Sequence, residues 1–197
     1  RLGRQELNAE ILDDNPNALW NRKNIESNRV TKAPDLKRII IGVDPNASNK
    51  ENSDEIGIIA AGIDNEGIGY ILEDLSMLGS PKEWGTTAIT GYYKYKADRI
   101  VAEINQGGNM VEFVLRSIDK NIPYKGVHAS KGKYTRAEPI SALYEQNKVK
   151  QVGTFPKLED EMCEWEPGMD SPNRMDALVW ALTELMLKDT GTLQFLK

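Results

Sequence analysis

The residues of this chain best suited to chemistry are three carboxylates, Asp44, Glu103 and Asp176, each placed where a secondary-structure element would present it at one common edge. Asp44 closes the apolar run Ile39-Ile40-Ile41-Gly42-Val43, and Glu103 closes Arg99-Ile100-Val101-Ala102. Asp176 opens the helical stretch Asp176-Ala177-Leu178-Val179-Trp180-Ala181-Leu182. Acids at the ends of two neighbouring strands and on a nearby helix suit hard divalent cations, because Mg²⁺ and Mn²⁺ prefer oxygen ligands and keep water or phosphate in their remaining positions. Two such ions about 3.5–4 Å apart activate a water on one side of a scissile phosphate and stabilise the leaving 3′ oxygen on the other, with no protein nucleophile. The expected chemistry is phosphodiester hydrolysis. A buried carboxylate without a partner is costly, and Glu103 and Asp176 both stand among apolar neighbours. Asp54 and Glu55, close to Asp44 in sequence, are accessory candidates for an outer ligand or a water contact.

Presenting these acids together requires a sheet and a covering helix. Strands are expected at about 38–44, 56–63 and 68–73, the last two joined by the turn Asp64-Asn65-Glu66-Gly67, which is hairpin chemistry and gives an antiparallel three-stranded meander. Ser80, Pro81 and Glu83 form a helix start of capping-box type. A strand at 98–104 follows, then a helix with apolar residues at Met110, Phe113, Val114 and Ile118, and a fifth strand at 122–127. Helices near 137–147 and 156–165 flank a short apolar piece at 149–155, and the last helix, 173–188, is apolar on most faces and should pack on the sheet. A meander followed by alternating helix and strand predicts an α/β fold with a mixed five-stranded sheet covered on both faces.

At 197 residues the chain has material for one well-buried domain with an appendage. Residues 1–34, broken by Asn15-Pro16-Asn17, read as a linker or arm with helical character at 6–12 and 18–25, and the core is expected from residue 35. No apolar run approaches the roughly 20 residues of a membrane helix. One cysteine, Cys163, and one histidine, His128, exclude a disulfide framework and a zinc cluster and fit a reducing cytoplasm. The net charge of −5 argues mildly against a dedicated nucleic-acid binder, but an acid-rich cation site needs only one basic face to hold phosphates. The chain starts at Arg1 without an apolar leader, which reads as a piece of a longer protein.

Lys125, Lys131, Lys133 and Arg136, interleaved with Tyr124, His128 and Tyr134, make the densest basic and aromatic stretch, a candidate for phosphate contacts. Two other patterns fail on mechanism. Asp44, Asn46, Ser48 and Glu55 have the spacing of a calcium loop, but Asn49 replaces the turn glycine and a strand precedes the loop. Gly126 to Lys133 imitates a phosphate loop, but has five residues between its glycines and Tyr134 where a hydroxyl should hold Mg²⁺.

Four blocks in order, IIIGVDPNAS, IVAEINQGGNMV, HASKGKYTRAEPISALYEQNKV and SPNRMDALVWAL, resemble the C-terminal nuclease domain of tailed-phage large terminase subunits, a branch of the RNase H-like superfamily. The resemblance covers about residues 35–190, and LGRQELNAEIL resembles the stretch after the ATPase in those proteins. It implies that 1–34 follows an ATPase domain and that 35–197 is an RNase H-like nuclease domain. It further implies that Asp44, Glu103 and Asp176 are the metal-binding acids, with Asp44 the bridging ligand of two Mg²⁺ or Mn²⁺ ions. Lys131, Lys133 and Arg136 would position DNA beside them, and His128 would be accessory. Many relatives carry Asp at the position of Glu103, or a second helical acid where this chain has Ala177. The implied activity is a DNA endonuclease that cuts concatemeric viral DNA during genome packaging in the host cell cytoplasm. Its implied partners are double-stranded DNA, the upstream ATPase domain, a small terminase subunit and a portal, with no membrane. A Holliday-junction resolvase or RNase H-type nuclease would use the same fold, and a non-catalytic module docking on DNA or a portal is the rival outside enzymes.

Overall fold

The β-branched run from Ile39 to Val43 is buried on both faces from Ile40 onward, the pattern of a strand deep inside a covered sheet. In the computed structural model, which describes residues 15–45, 55–104, 109–169 and 172–187, it forms β2 (Arg38–Asp44). β2 pairs antiparallel with β3 (Gly57–Ile63), and β3 with β4 (Gly69–Asp74), so the meander is present. Its turn is built by Asp64, whose carboxylate accepts from the Glu66 and Ile68 amides while Gly67 takes a φ of 83°. On its other side β2 pairs parallel with β5 (Arg99–Glu103), which pairs parallel with β6 (Tyr124–Val127).

The sheet has seven strands rather than the five expected, in the order β1-β7-β4-β3-β2-β5-β6. The additions are β7 (Val149–Val152), parallel to β4, and β1 (Arg29–Val30), parallel to β7. Both are short, and β1 lies within the stretch read as an arm. That arm is partly built into the fold: helix α1 (Arg22–Ser27) and the segment before it place Trp20 and Ile25 in the main core, and Arg22 pairs with Asp160 at 2.7 Å. The apolar side chains at 20 and 25 drive this. The helix expected at 6–12 lies outside the described residues.

Two core clusters cover the sheet. On one face pack α2 (Pro81–Tyr95) and α3 (Asn109–Ile118), against Ile41, Val43, Ile58, Ile100 and Ala102. The expected capping box starts α2, with Glu83 accepting from the Ser80 amide at 2.8 Å. On the other face pack α4 (Lys133–Glu145), α5 (Pro156–Glu164) and α6 (Asn173–Leu182), against Ile40, Ile59, Ala61 and Val101. Helix α6 continues into a π-helical turn, Thr183–Leu187. No helix among the described residues is long and apolar enough to cross a membrane.

Helix α6 lies unusually close to the strands because two glycines leave it room. A Cβ on Gly42 would stand 2.3 Å from the Ala177 carbonyl oxygen and 2.9 Å from the Ala181 Cβ, and one on Gly57 would stand 1.9 Å from the Asn173 carbonyl oxygen. The two carbonyl contacts are with backbone, which cannot swing away. Gly42→Ala is therefore expected to destabilise the fold by roughly 1–3 kcal/mol, read from urea denaturation, by prising α6 from the sheet.

Candidate active site

The three carboxylates come from β2, β5 and α6. Side chains alternate along a strand, so Asp44 shares the face of Gly42 and Ile40, the face α6 covers. Val43 pairs with Ala102 in the parallel ladder, which puts Asp44 and Glu103 level on adjacent strands, about 4.8 Å apart along the hydrogen-bonding direction. Both strands end there, β2 running into Pro45, which has no amide hydrogen to extend the ladder. Asp44 lies opposite Gly57, the residue against which the first turn of α6 packs. That turn contains Asp176. All three acids therefore occupy the carboxyl-end edge of one face, and all are buried, with relative exposures of 4% for Asp44, 8% for Glu103 and 2% for Asp176.

The first turn of α6 has no capping side chain of its own, since Pro172 precedes it. Glu161 of α5 substitutes, accepting from the amides of Arg174 at 2.9 Å and Met175 at 3.1 Å. Arg174 itself is buried and gathers three acids from three separate segments: Nε meets Asp74 at 2.9 Å, Nη1 meets Glu161 at 3.2 Å, and both Nη atoms bond Glu55. Glu55 is thereby committed to a structural clamp, not to the outer-ligand role expected of it; the other accessory candidate, Asp54, lies outside the described residues. Asn173 adds a bond from Nδ2 to the Glu55 carbonyl at 2.6 Å. The clamp fixes where Asp176 sits.

Two basic side chains face the acids. Helix α4 starts at Lys133, four residues before the expected start, which places Lys133 and Arg136 in its first turn. Lys133 Nζ bonds Asp176 Oδ2, and Arg136 bridges Glu103 Oε2 at 3.1 Å and Asp176 Oδ1 at 3.5 Å. Arg136 also stacks 4.4 Å from the ring centre of Trp180, and its side chain is only 10% exposed. It is thus a partner of the acids more than an open phosphate contact, because burial between Trp180 and two carboxylates leaves it little surface. Lys131 and His128 are exposed beyond the end of β6. Burial raises the Asp176 carboxyl above the usual aspartate range, Glu103 adds to this, and Lys133 and Arg136 oppose it.

With the side chains so turned, no group of three or more histidine, cysteine, aspartate or glutamate residues among those described is arranged to hold a metal ion. The reason is visible in the partners of Glu103 and Asp176, whose oxygens point at Lys133, Arg136 and Trp180. The donor set nonetheless fits hard cations: three buried carboxylates, all oxygen, at one edge and on one face.

Trp180 is a functional candidate that spacing alone did not single out. Its indole Nε1 donates to Glu103 Oε2 at 3.0 Å. The signal was its position one helical turn after Asp176, together with the need of a buried indole N–H for an acceptor. Trp180→Phe keeps a ring beneath Arg136 and removes the donor. It is expected to cost about 1 kcal/mol of stability, measured by denaturation.

Residues 41–188 match the family model described as the terminase RNaseH-like domain. The chain belongs to that family. Solved structures similar to it include the large terminase nuclease from thermophilic phage G20c, with a TM-score of 0.56, 16% identity and coverage of 75% of this chain and 82% of that one. The human cytomegalovirus terminase nuclease domain aligns with a TM-score of 0.60 and 14% identity over 82% of this chain and 92% of that one. The large terminase of thermophilic bacteriophage D6E gives 0.60 and 10% identity over 87% of this chain. This chain spans only 44% of that longer protein. No curated protein sequence matches it. At these identities the likeness is one of fold, and the RNase H-like architecture expected from the sequence is present with two further strands.

Proposed function

We propose that this terminase RNaseH-like domain is a metal-dependent DNA endonuclease that cuts concatemeric viral DNA during genome packaging. What supports the reading most is the meeting of three buried carboxylates from β2, β5 and α6 at one edge of one face, in a chain of this family. Similar solved structures include the phage G20c nuclease with bound zinc and a mutant of the phage Sf6 domain with calcium, which accords with divalent-cation binding here.

In this reading Asp44, Glu103 and Asp176 would hold the ions. When bound, two Mg²⁺ or Mn²⁺ ions supply an activated water and charge stabilisation for the leaving oxygen. The chain's own residues set the stage. Trp180 orients Glu103, the Arg174 clamp fixes the start of α6, and Lys133 and Arg136 balance the charge of acids that would otherwise repel. Lys131, with Lys133 and the α4 N-terminus, gives the DNA backbone a basic approach beside Glu103. His128 stands exposed at the same rim. The whole packaging machine, with an upstream ATPase domain, small subunit and portal, belongs to the same proposal.

Supercoiled plasmid incubated with Mn²⁺ or Mg²⁺ should be nicked and linearised, and chelator should stop it. Branched DNA and RNA–DNA hybrid tested alongside should be cut no faster than plain duplex. A strong preference for either would move the assignment to a junction resolvase or an RNase H, and no cleavage of any substrate would leave a docking module.

A further inference from the structure

The face that carries the acids at its carboxyl edge carries a second charged cluster at its amino edge, of opposite sign. Arg38 opens β2, Arg99 opens β5 and Lys125 is the second residue of β6, three adjacent strands. Ile40 pairs with Arg99 and Val101 with Lys125, so by alternation all three cations share the face of Ile40 and Val101. They converge on one carboxylate, Glu184, buried in the π-helical turn that follows α6. Lys125 bonds it at 2.9 Å, while Arg38 and Arg99 approach only to 3.8 and 3.9 Å.

One acid does not satisfy three cations. Lys125 suffices to neutralise Glu184, and the two guanidiniums, each with five donors in a fixed fork, make no closer bond among the described residues. Their side chains are 32% and 42% exposed, so the donors reach solvent. Asp98, next to Arg99 in sequence, is engaged by the Ile39 amide at 2.8 Å. In a chain of net charge −5, this concentration of paired but unsatisfied arginines stands out. Planar forks of this kind match phosphate oxygens.

The geometry points to a second phosphate-binding subsite formed by Arg38 and Arg99, which grips the backbone of duplex DNA away from the cut. The six residue steps of β2 from Arg38 to Asp44 span about 20 Å, or about six base steps of duplex. β6 is an edge strand, and Lys131 and Lys133 follow it toward the acids, so one DNA backbone passing along that edge meets both ends. The ligand rests on the nuclease reading, since it is the same DNA. The subsite would hold the substrate in register and resist its sliding during cleavage.

The test is binding of a labelled duplex of about 30 base pairs, by anisotropy in chelator, across a salt series. The double variant Arg38→Gln/Arg99→Gln keeps the Lys125–Glu184 pair, so the buried carboxylate stays neutralised; equal melting temperatures would document that it folds. It should bind on the order of tenfold more weakly at low salt, with the salt slope reduced by about two. The charge-keeping variant Arg38→Lys/Arg99→Lys should recover most of the affinity. Unchanged binding in the glutamine variant would overturn the subsite, which is the outcome if these arginines instead receive an acidic protein. A lysine variant as weak as the glutamine one would also overturn it, by assigning the loss to packing. Plasmid cleavage by the wild type in Mn²⁺ is scored separately: its absence counts against the nuclease reading, while sensitivity of DNA binding to Arg38 and Arg99 decides the subsite.

Discussion

Asp44→Asn is expected to lower plasmid cleavage in Mn²⁺ by at least about a thousandfold, the loss of roughly 4 kcal/mol of transition-state stabilisation, while leaving the fold intact. The substitution is nearly isosteric and removes one charge from a ligand set that depends on charge. Asp44 is 4% exposed and lies level with Glu103 on the adjacent strand, so its carboxylate shares a confined edge with two other acids. Relieving that repulsion should hold the melting temperature level or raise it. This opposition of effects is diagnostic: a residue that merely supported the fold would lose stability and activity together. Asp176→Ala should match the loss of activity, but it also strands Lys133 and Arg136 without one of their partners. Full activity in both variants would remove the carboxylates from the mechanism.

Arg174→Met should be the most destabilising single substitution in the region, by about 3–5 kcal/mol in urea denaturation, because it leaves acids from β4, α5 and the segment before β3 without their shared cation. The pH dependence follows from the sign of each shift. The hydrogen bond from Arg174 lowers the Glu55 carboxyl, so its contribution to stability is present above its unfolded value of 4.5 and is lost as pH falls through the lower folded value. Burial raises Glu161, so that group opposes folding increasingly as pH rises above 4.5. In the variant Glu161 loses its counter-charge and Glu55 keeps only the exposed Lys157, 3.8 Å away. The deficit relative to wild type should therefore be largest near neutral pH and shrink as the acids protonate below about pH 5. A deficit independent of pH would assign the effect to packing alone. Activity should fall with stability here, since Glu161 and Arg174 set the start of the helix that carries Asp176.

Features written in local sequence are legible from the sequence alone. The run from Ile39 to Val43 announced a buried strand, Asp64 to Gly67 a hairpin, and Ser80 with Glu83 a helix start, and each is present because its cause lies within a few residues. The carboxyl-edge placement of Asp44 and Glu103 followed from the same reasoning. Strands β1 and β7 escaped because two and four residues carry too little periodicity, and their pairing is settled by distant partners such as Val30 with Val152. Residues 1–34 look like a linker or arm in sequence because their polar residues outnumber the two side chains, Trp20 and Ile25, that anchor the segment. Arg174, Glu161, Trp180 and Glu184 were silent for a similar reason. Each matters through a contact made across the fold, and a single sequence does not print which charge meets which. Arg136 shows the limit most sharply: basic composition marked its neighbourhood, but its burial against Trp180 and between two acids depends on α4 beginning at Lys133.

Crystals of the domain grown with Mn²⁺ and measured at the manganese absorption edge offer the most direct test of the central claim. Two anomalous peaks are predicted, both within ligand distance of Asp44, one also touching Glu103 and the other Asp176, with the Lys133 ammonium moved off the Asp176 carboxylate. Manganese bound elsewhere, or none at these three acids while Lys133 and Arg136 keep their present partners, would contradict the account.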